Sequence, residues 1–106
     1  MQIKTTNLII KYGQKVIINE GTNEIPSFAF IQPLRKDEQS ALYEDYNDSN
    51  AEQYLYIGLP STPLDDSGSM TIKIGGETYS IVKAESVKIS GKSIYERAVL
   101  EKESNN

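Results

Sequence analysis

The chain has 106 residues and contains no Cys, His or Trp. That length fits one small domain, and the missing residue types exclude a disulfide framework, a Cys/His zinc site and any His-dependent triad or general base. Eleven basic residues against 15 acidic ones leave a formal charge of −4, the wrong sign for a protein held to nucleic acid by phosphate neutralisation.

The N-terminal part opens with Thr5-Thr6-Asn7, then Leu8, Ile9, Ile10 and Tyr12, then Gly13. Thr or Asn can cap a helix start and Gly13 its end, so a short helical turn is one reading. The β-branched isoleucines followed by Gly13-Gln14 also fit a strand and hairpin turn, and both readings stay open. The apolar run Leu8–Ile10 is far shorter than the roughly 7–15 residues of a signal peptide or the ~20 of a membrane span. The chain is therefore expected to work inside a cell or within an assembly, with no membrane partner.

Val16-Ile17-Ile18 predicts a strand, and Glu20–Glu24 a polar turn. Ser27–Gln32 predicts a second strand that Pro33 ends. Arg35–Asn50 differs in character: Ala41, Leu42 and Tyr46 have partial helical spacing, and Asp37 could cap a short helix. Residues Asp37 to Glu52 hold six acids (Asp37, Glu38, Glu44, Asp45, Asp48, Glu52) and no base. With 11 bases and nine acids left outside this run, the rest of the chain is slightly positive, at +2. The acidity thus belongs to one segment.

Gln53–Ile57 alternates, placing Tyr54 and Tyr56 on one face of a strand. Gly58–Gly68, with two prolines and two glycines, is irregular. Met70–Ile74 and Glu77–Lys83 flank Gly75-Gly76, a type I′ hairpin signal. Ser86–Ile89 and Ser93–Leu100 follow as two further strands around Ser90-Gly91, and Glu101–Asn106 reads as a frayed polar tail. Six or seven short strands with at most one helix predict an all-β fold, a small antiparallel barrel over residues 1–100 with no internal boundary.

Candidate chemistry is sparse. Asp65-Asp66 and Glu44-Asp45 are adjacent in sequence, whereas paired catalytic carboxylates must face one substrate. Counted as a calcium loop from Asp65, position six is Met70 and position twelve Gly76, so the pattern fails. Seven of the nine aromatic residues are Tyr. An aromatic sheet face could stack bases in an oligonucleotide-binding barrel, but only Lys83, Lys88, Lys92 and Arg97 cluster as a basic group. An interface or a half-buried wall is the preferred role for the tyrosines. No enzyme activity, metal or cofactor is expected.

Three pieces carry a resemblance. The first is Leu8–Gln14 running into Val16-Ile17-Ile18. The second is Ala29–Leu34 followed by the acidic, Tyr-containing stretch. The third is Gly76–Glu85, with Gly91 and then Tyr95–Leu100. In this order and spacing the chain resembles the small head-completion proteins of tailed bacteriophages, the head–tail connector or "stopper" proteins of siphophages and PBSX-like prophages. The resemblance implies a small β-barrel that assembles as a ring beneath the portal and adaptor of a filled capsid. Such a ring closes the DNA channel after packaging and docks the tail. It also implies a long loop after the second or third strand that projects into the channel. The matching positions here are Asp37, Glu38, Tyr43, Glu44, Asp45, Tyr46, Asp48 and Glu52. A ring of acidic loops would repel phosphates, so DNA would pass without sticking. Contact surfaces are expected at Leu59, Pro60 and Leu64, besides Tyr43 and Tyr46. The implied partners are the portal–adaptor ring, tail proteins and further copies of the chain, in the host cytoplasm and then in the virion. A tail-terminator or tail-completion module is the alternative, with an oligonucleotide-binding barrel more distant.

Overall fold

The computed structural model describes residues 2–34 and 52–103. One helix, α1 (Gln2–Tyr12), precedes six strands: β1 (Gln14–Glu20), β2 (Asn23–Pro33), β3 (Gln53–Gly58), β4 (Met70–Ile74), β5 (Glu77–Ile89) and β6 (Lys92–Lys102). All neighbours are antiparallel, in the order β1-β2-β3-β6-β5-β4, and β1 pairs with β4 to close the barrel. Closure leaves a chain of this size with no open sheet edge around the barrel wall.

Between helix and strand for Leu8–Tyr12, the chain takes the helix, and it does so because of Gly13. The Gly13 N–H donates to the Ile9 carbonyl at 2.8 Å, completing the last turn. A Cβ there would stand 2.5 Å from the Ile9 carbonyl oxygen and 2.9 Å from that of Ala29. Only glycine lets helix and barrel wall meet so closely. Among the described side chains of α1, Ile9 is buried completely, while Leu8, Ile10 and Tyr12 stay largely exposed. Val99 is buried too, yet it alternates with the interior residues Ala98 and Leu100 and so faces the outside of the wall. Since α1 touches β2 and β6, it covers this outer face.

The barrel interior is packed with Val16, Ile18, Ala29, Tyr56, Met70, Ile72, Tyr79, Ile81, Ala98 and Leu100. These alternate along their strands, as the period of two requires. Gly75 and Gly76 both have positive φ (58° and 94°), the type I′ geometry that their sequence predicts. Ser90 and Gly91 make the second such turn, with Ser90 at φ 53°.

Three boundaries differ from the sequence expectation. Glu77–Lys83 and Ser86–Ile89 are one strand, β5, because nothing between them breaks the pairing with β6. Register shifts at Ile81/Lys83 and Val87/Lys88 absorb the irregularity. The turn expected over Glu20–Glu24 shrinks to Gly21-Thr22, since Glu20 pairs with Asn23 and Asn19 with Glu24. The polar tail expected from Glu101 is paired as far as Glu103, and residues 104–106 lie outside the described residues. Lys102 N–H donates to the Glu52 carbonyl at 3.0 Å and Glu103 N–H to that of Thr78 at 2.9 Å, so ladder bonds hold residues whose composition alone suggests fraying.

Strand direction sorts the connections between the two mouths. The end of α1, Leu34, Glu52, the Gly75-Gly76 turn and the end of β6 lie at one mouth. The Gly21-Thr22 turn, the Leu59–Ser69 segment and the Ser90-Gly91 turn lie at the other.

Candidate functional site

The acidic segment joins two neighbouring strands, β2 and β3, and its feet are fastened. Leu34 N–H donates to the Gln53 carbonyl at 2.9 Å, which brings the ends of the connection together at the close of the β2–β3 ladder. At the second foot, Glu52 accepts a hydrogen bond from the Tyr54 hydroxyl at 2.7 Å. Lys102 Nζ lies 4.0 Å from Glu52 and 3.8 Å from Glu77. The Glu52 bond, then burial, then charge repulsion from the same carboxylate push the Tyr54 phenol up to about 12. Below it the Tyr54 ring meets Tyr79 edge-on, with centroids 5.4 Å apart. Of the expected channel positions, Glu52 stands at this foot. Asp37, Glu38, Tyr43, Glu44, Asp45, Tyr46 and Asp48 lie outside the described residues, as does the short helix suggested at Asp37.

At the opposite mouth, Leu59–Ser69 joins β3 to β4. These strands are three positions apart in a six-strand barrel, so the segment must cross the opening from one side to the other. Three side-chain bonds hold it there. Ser27 and Thr62 share a hydroxyl–hydroxyl bond of 3.0 Å. Leu64 N–H donates to Glu96 Oε1 at 3.2 Å. Ala84 N–H donates to Asp66 Oδ2 at 3.1 Å, which occupies β5 where β4 no longer accompanies it. Glu96 is almost completely buried, and its second oxygen accepts from the Ser86 hydroxyl at 2.5 Å. One buried carboxylate therefore ties the crossing segment to β5 and β6.

Of the expected contact residues, Leu59 and Pro60 are half-buried on this crossing segment, whereas Leu64 packs against the interior cluster. Leu64 thus serves the core as well as any surface. Tyr54 and Tyr56 share a face, as their spacing predicts, but that face is the interior. Tyr56 is fully buried, and burial, followed by repulsion from Glu96, raises its phenol above the ordinary value. It cannot stack a base. Glu96 itself escapes a reading of the sequence for acid pairs and charge runs. Its signal is phase: Glu96, Ala98 and Leu100 alternate on one strand face, and the last two are apolar.

The four basic residues Lys83, Lys88, Lys92 and Arg97 all fall on the β5–β6 hairpin. Arg97 is engaged by Glu85. The three lysines are exposed. Among the described residues no group of three or more Asp or Glu side chains is placed to hold a metal ion, and no helix is long and apolar enough to cross a membrane.

No family model matches the chain, and no curated protein or solved structure matches it significantly.

Proposed function

We propose that the protein is a non-enzymatic structural component of a phage or prophage head–tail connector. It assembles as a ring that closes the DNA channel after packaging and receives the tail. One observation carries the reading: the strongly acidic segment is the connection after the second strand, with feet fastened by the Leu34–Gln53 and Lys102–Glu52 bonds to a barrel that has its own packed core. That is where the resemblance expects a channel loop. The segment can change without unfolding its support, as a moving or closing element must. Its charge argues for passage, because a lumen lined with carboxylates repels phosphate and gains nothing from counterion release. Closure would be steric, through packing of side chains such as Tyr43 and Tyr46.

The test is a shortened segment, lacking Tyr43–Asn50, assembled onto DNA-filled capsids that carry a portal–adaptor ring. The variant should keep its fold and bind the ring in electron micrographs, and the packaged DNA should leak. Capsids that stay tight with the shortened protein would refute the channel role, and failure of the intact protein to bind the ring would refute the connector assignment. On single-stranded DNA, the free protein should show no retention at moderate salt.

A further inference from the structure

The β5–β6 hairpin is longer than the barrel needs. β4 accompanies β5 only as far as Ser80, and β3 accompanies β6 only from Glu96 onward. After the Ala84–Asp66 bond, the residues from Glu85 to Tyr95 continue as a ribbon of two strands with no third among the described residues. An isolated two-stranded ribbon is marginal in water, so its length calls for another reason. Ser86–Tyr95 holds Lys88 and Lys92 and no acid, and Lys83 stands at its base. Ile89, at the last position of β5, is 64% exposed. None of the three lysines has a carboxylate partner among the described residues, whereas Arg97 is engaged by Glu85. Lysines along ribbon edges also discourage strand addition, which leaves docking by side chains.

The complementary surface lies on the same chain at the other mouth. Glu52, Glu77, Glu101 and Glu103 gather where β3 and β5 begin and β6 ends, with Lys102 among them and Lys73 on the neighbouring strand β4. Glu52 and Glu77 keep 63% and 46% of their side-chain surface in water even while sharing Lys102, and Glu103 is exposed.

We propose that the basic β5–β6 ribbon of one copy docks on the acidic mouth of a second copy, with Lys88 and Lys92 facing Glu77 and Glu103 and Ile89 covered by the contact. Ribbon and acidic mouth lie at opposite ends of one rigid barrel, so a molecule cannot satisfy both itself. The contact is therefore heterologous, the type that closes into rings or runs on as filaments. It deepens the ring reading above by naming the surface that joins neighbours, and rests on that reading only for closure.

The experiment is sedimentation velocity of the free, full-length chain at salt from about 0.01 M to about 1 M, since exposed charge pairs weaken with screening. The wild type should self-associate at low salt and dissociate at high salt. K88E/K92E and E77K/E103K should each weaken association at least about tenfold, with unchanged circular dichroism and thermal midpoint. The fourfold variant, which restores opposite charges, should recover it. A wild type that stays monomeric at low salt up to about 1 mM, a K88E/K92E variant that associates normally, or a fourfold variant that stays monomeric would overturn the proposal. So would retention of the wild type on DNA that K88E/K92E abolishes, since the ribbon would then serve nucleic acid. These outcomes concern the free protein and leave the capsid-leak result untouched, so either idea can fail without the other.

Discussion

Gly58→Ala probes whether the barrel is as tightly filled as its interior suggests. Gly58 sits between Ala29 and Glu96 in the sheet, and the ring of Tyr56, two residues back on the same face, lies over it. A Cβ at Gly58 would come within 2.5 to 2.6 Å of the Tyr56 Cε1, Oη and Cζ atoms. Tyr56 is fully buried, so its ring cannot swing into solvent and must displace core neighbours. Overpacking of this kind costs about 1–3 kcal/mol, and three close atoms on a rigid ring place it near the upper end. Alanine returns about 0.5–1 kcal/mol by restricting the unfolded chain. The net loss should be about 2 kcal/mol, or a drop of roughly 10 °C in thermal midpoint for a domain of this size. Urea denaturation followed by circular dichroism measures it. The same substitution in a Tyr56→Leu background should cost less than about 0.5 kcal/mol, because the ring is gone, which gives a coupling above about 1 kcal/mol. A Gly58→Ala protein as stable as wild type, or an equal cost in both backgrounds, would refute the tight packing and reopen the interior as a ligand space.

Glu96→Ala should cost about 2 kcal/mol, since it strands the Leu64 N–H and the Ser86 hydroxyl. It should also speed limited proteolysis within Leu59–Ser69, and unchanged cleavage there would mean that Ser27–Thr62 and Asp66–Ala84 hold the crossing alone. In alkaline titration of the ultraviolet tyrosinate band, Tyr54 and Tyr56 should ionise late. Tyr54, held up to about 12 chiefly by its bond to Glu52, should titrate earlier in Glu52→Gln, and Tyr56 should ionise only as the fold opens. Because the folded Tyr54 value lies above the ordinary one near 10, its contribution to stability is complete below about pH 10 and is lost as pH rises through about 12. A titration that Glu52→Gln leaves unchanged would contradict the Tyr54 assignment, and a phenol that Tyr56→Phe removes from the band of the folded protein would contradict the Tyr56 one.

The wall of the barrel was legible because alternation and turn chemistry are local. Met70–Ile74, Gly75-Gly76 and the start of β5 follow from a period of two and a pair of glycines free to adopt positive φ. What stayed hidden depends on partners distant in sequence. Leu8–Tyr12 suits helix or strand by propensity, and the close approach of Gly13 to the Ala29 carbonyl decides it. The continuity of β5 depends on β6, and the order of Lys102 and Glu103 on carbonyls of Glu52 and Thr78. At the candidate site, the charge of Asp37–Glu52 can be counted from the sequence, but the fastening of its feet cannot. Nor can the burial of Glu96, whose only trace is its phase with Ala98 and Leu100.

The fastened feet also bear on why the segment is acidic. With Leu34 and Gln53 bonded to each other, both ends of the connection are set by the barrel itself. Its composition is then free of the core, and folding alone would not gather six acids without a base between Asp37 and Glu52, since like charges in one segment repel. The rest of the chain, at +2, has bases enough to have been interspersed there. Two exposed lysines, Lys88 and Lys92, instead stand on a ribbon at the other mouth, while Lys11, Lys15 and Lys73 lie toward the mouth where the segment is attached. Only the acidic run is single-signed, at some cost in self-repulsion, and such a run has a use toward something outside the molecule. In the proposed ring, the acidic segment would face the polyanion that passes and the basic ribbon would meet the next copy.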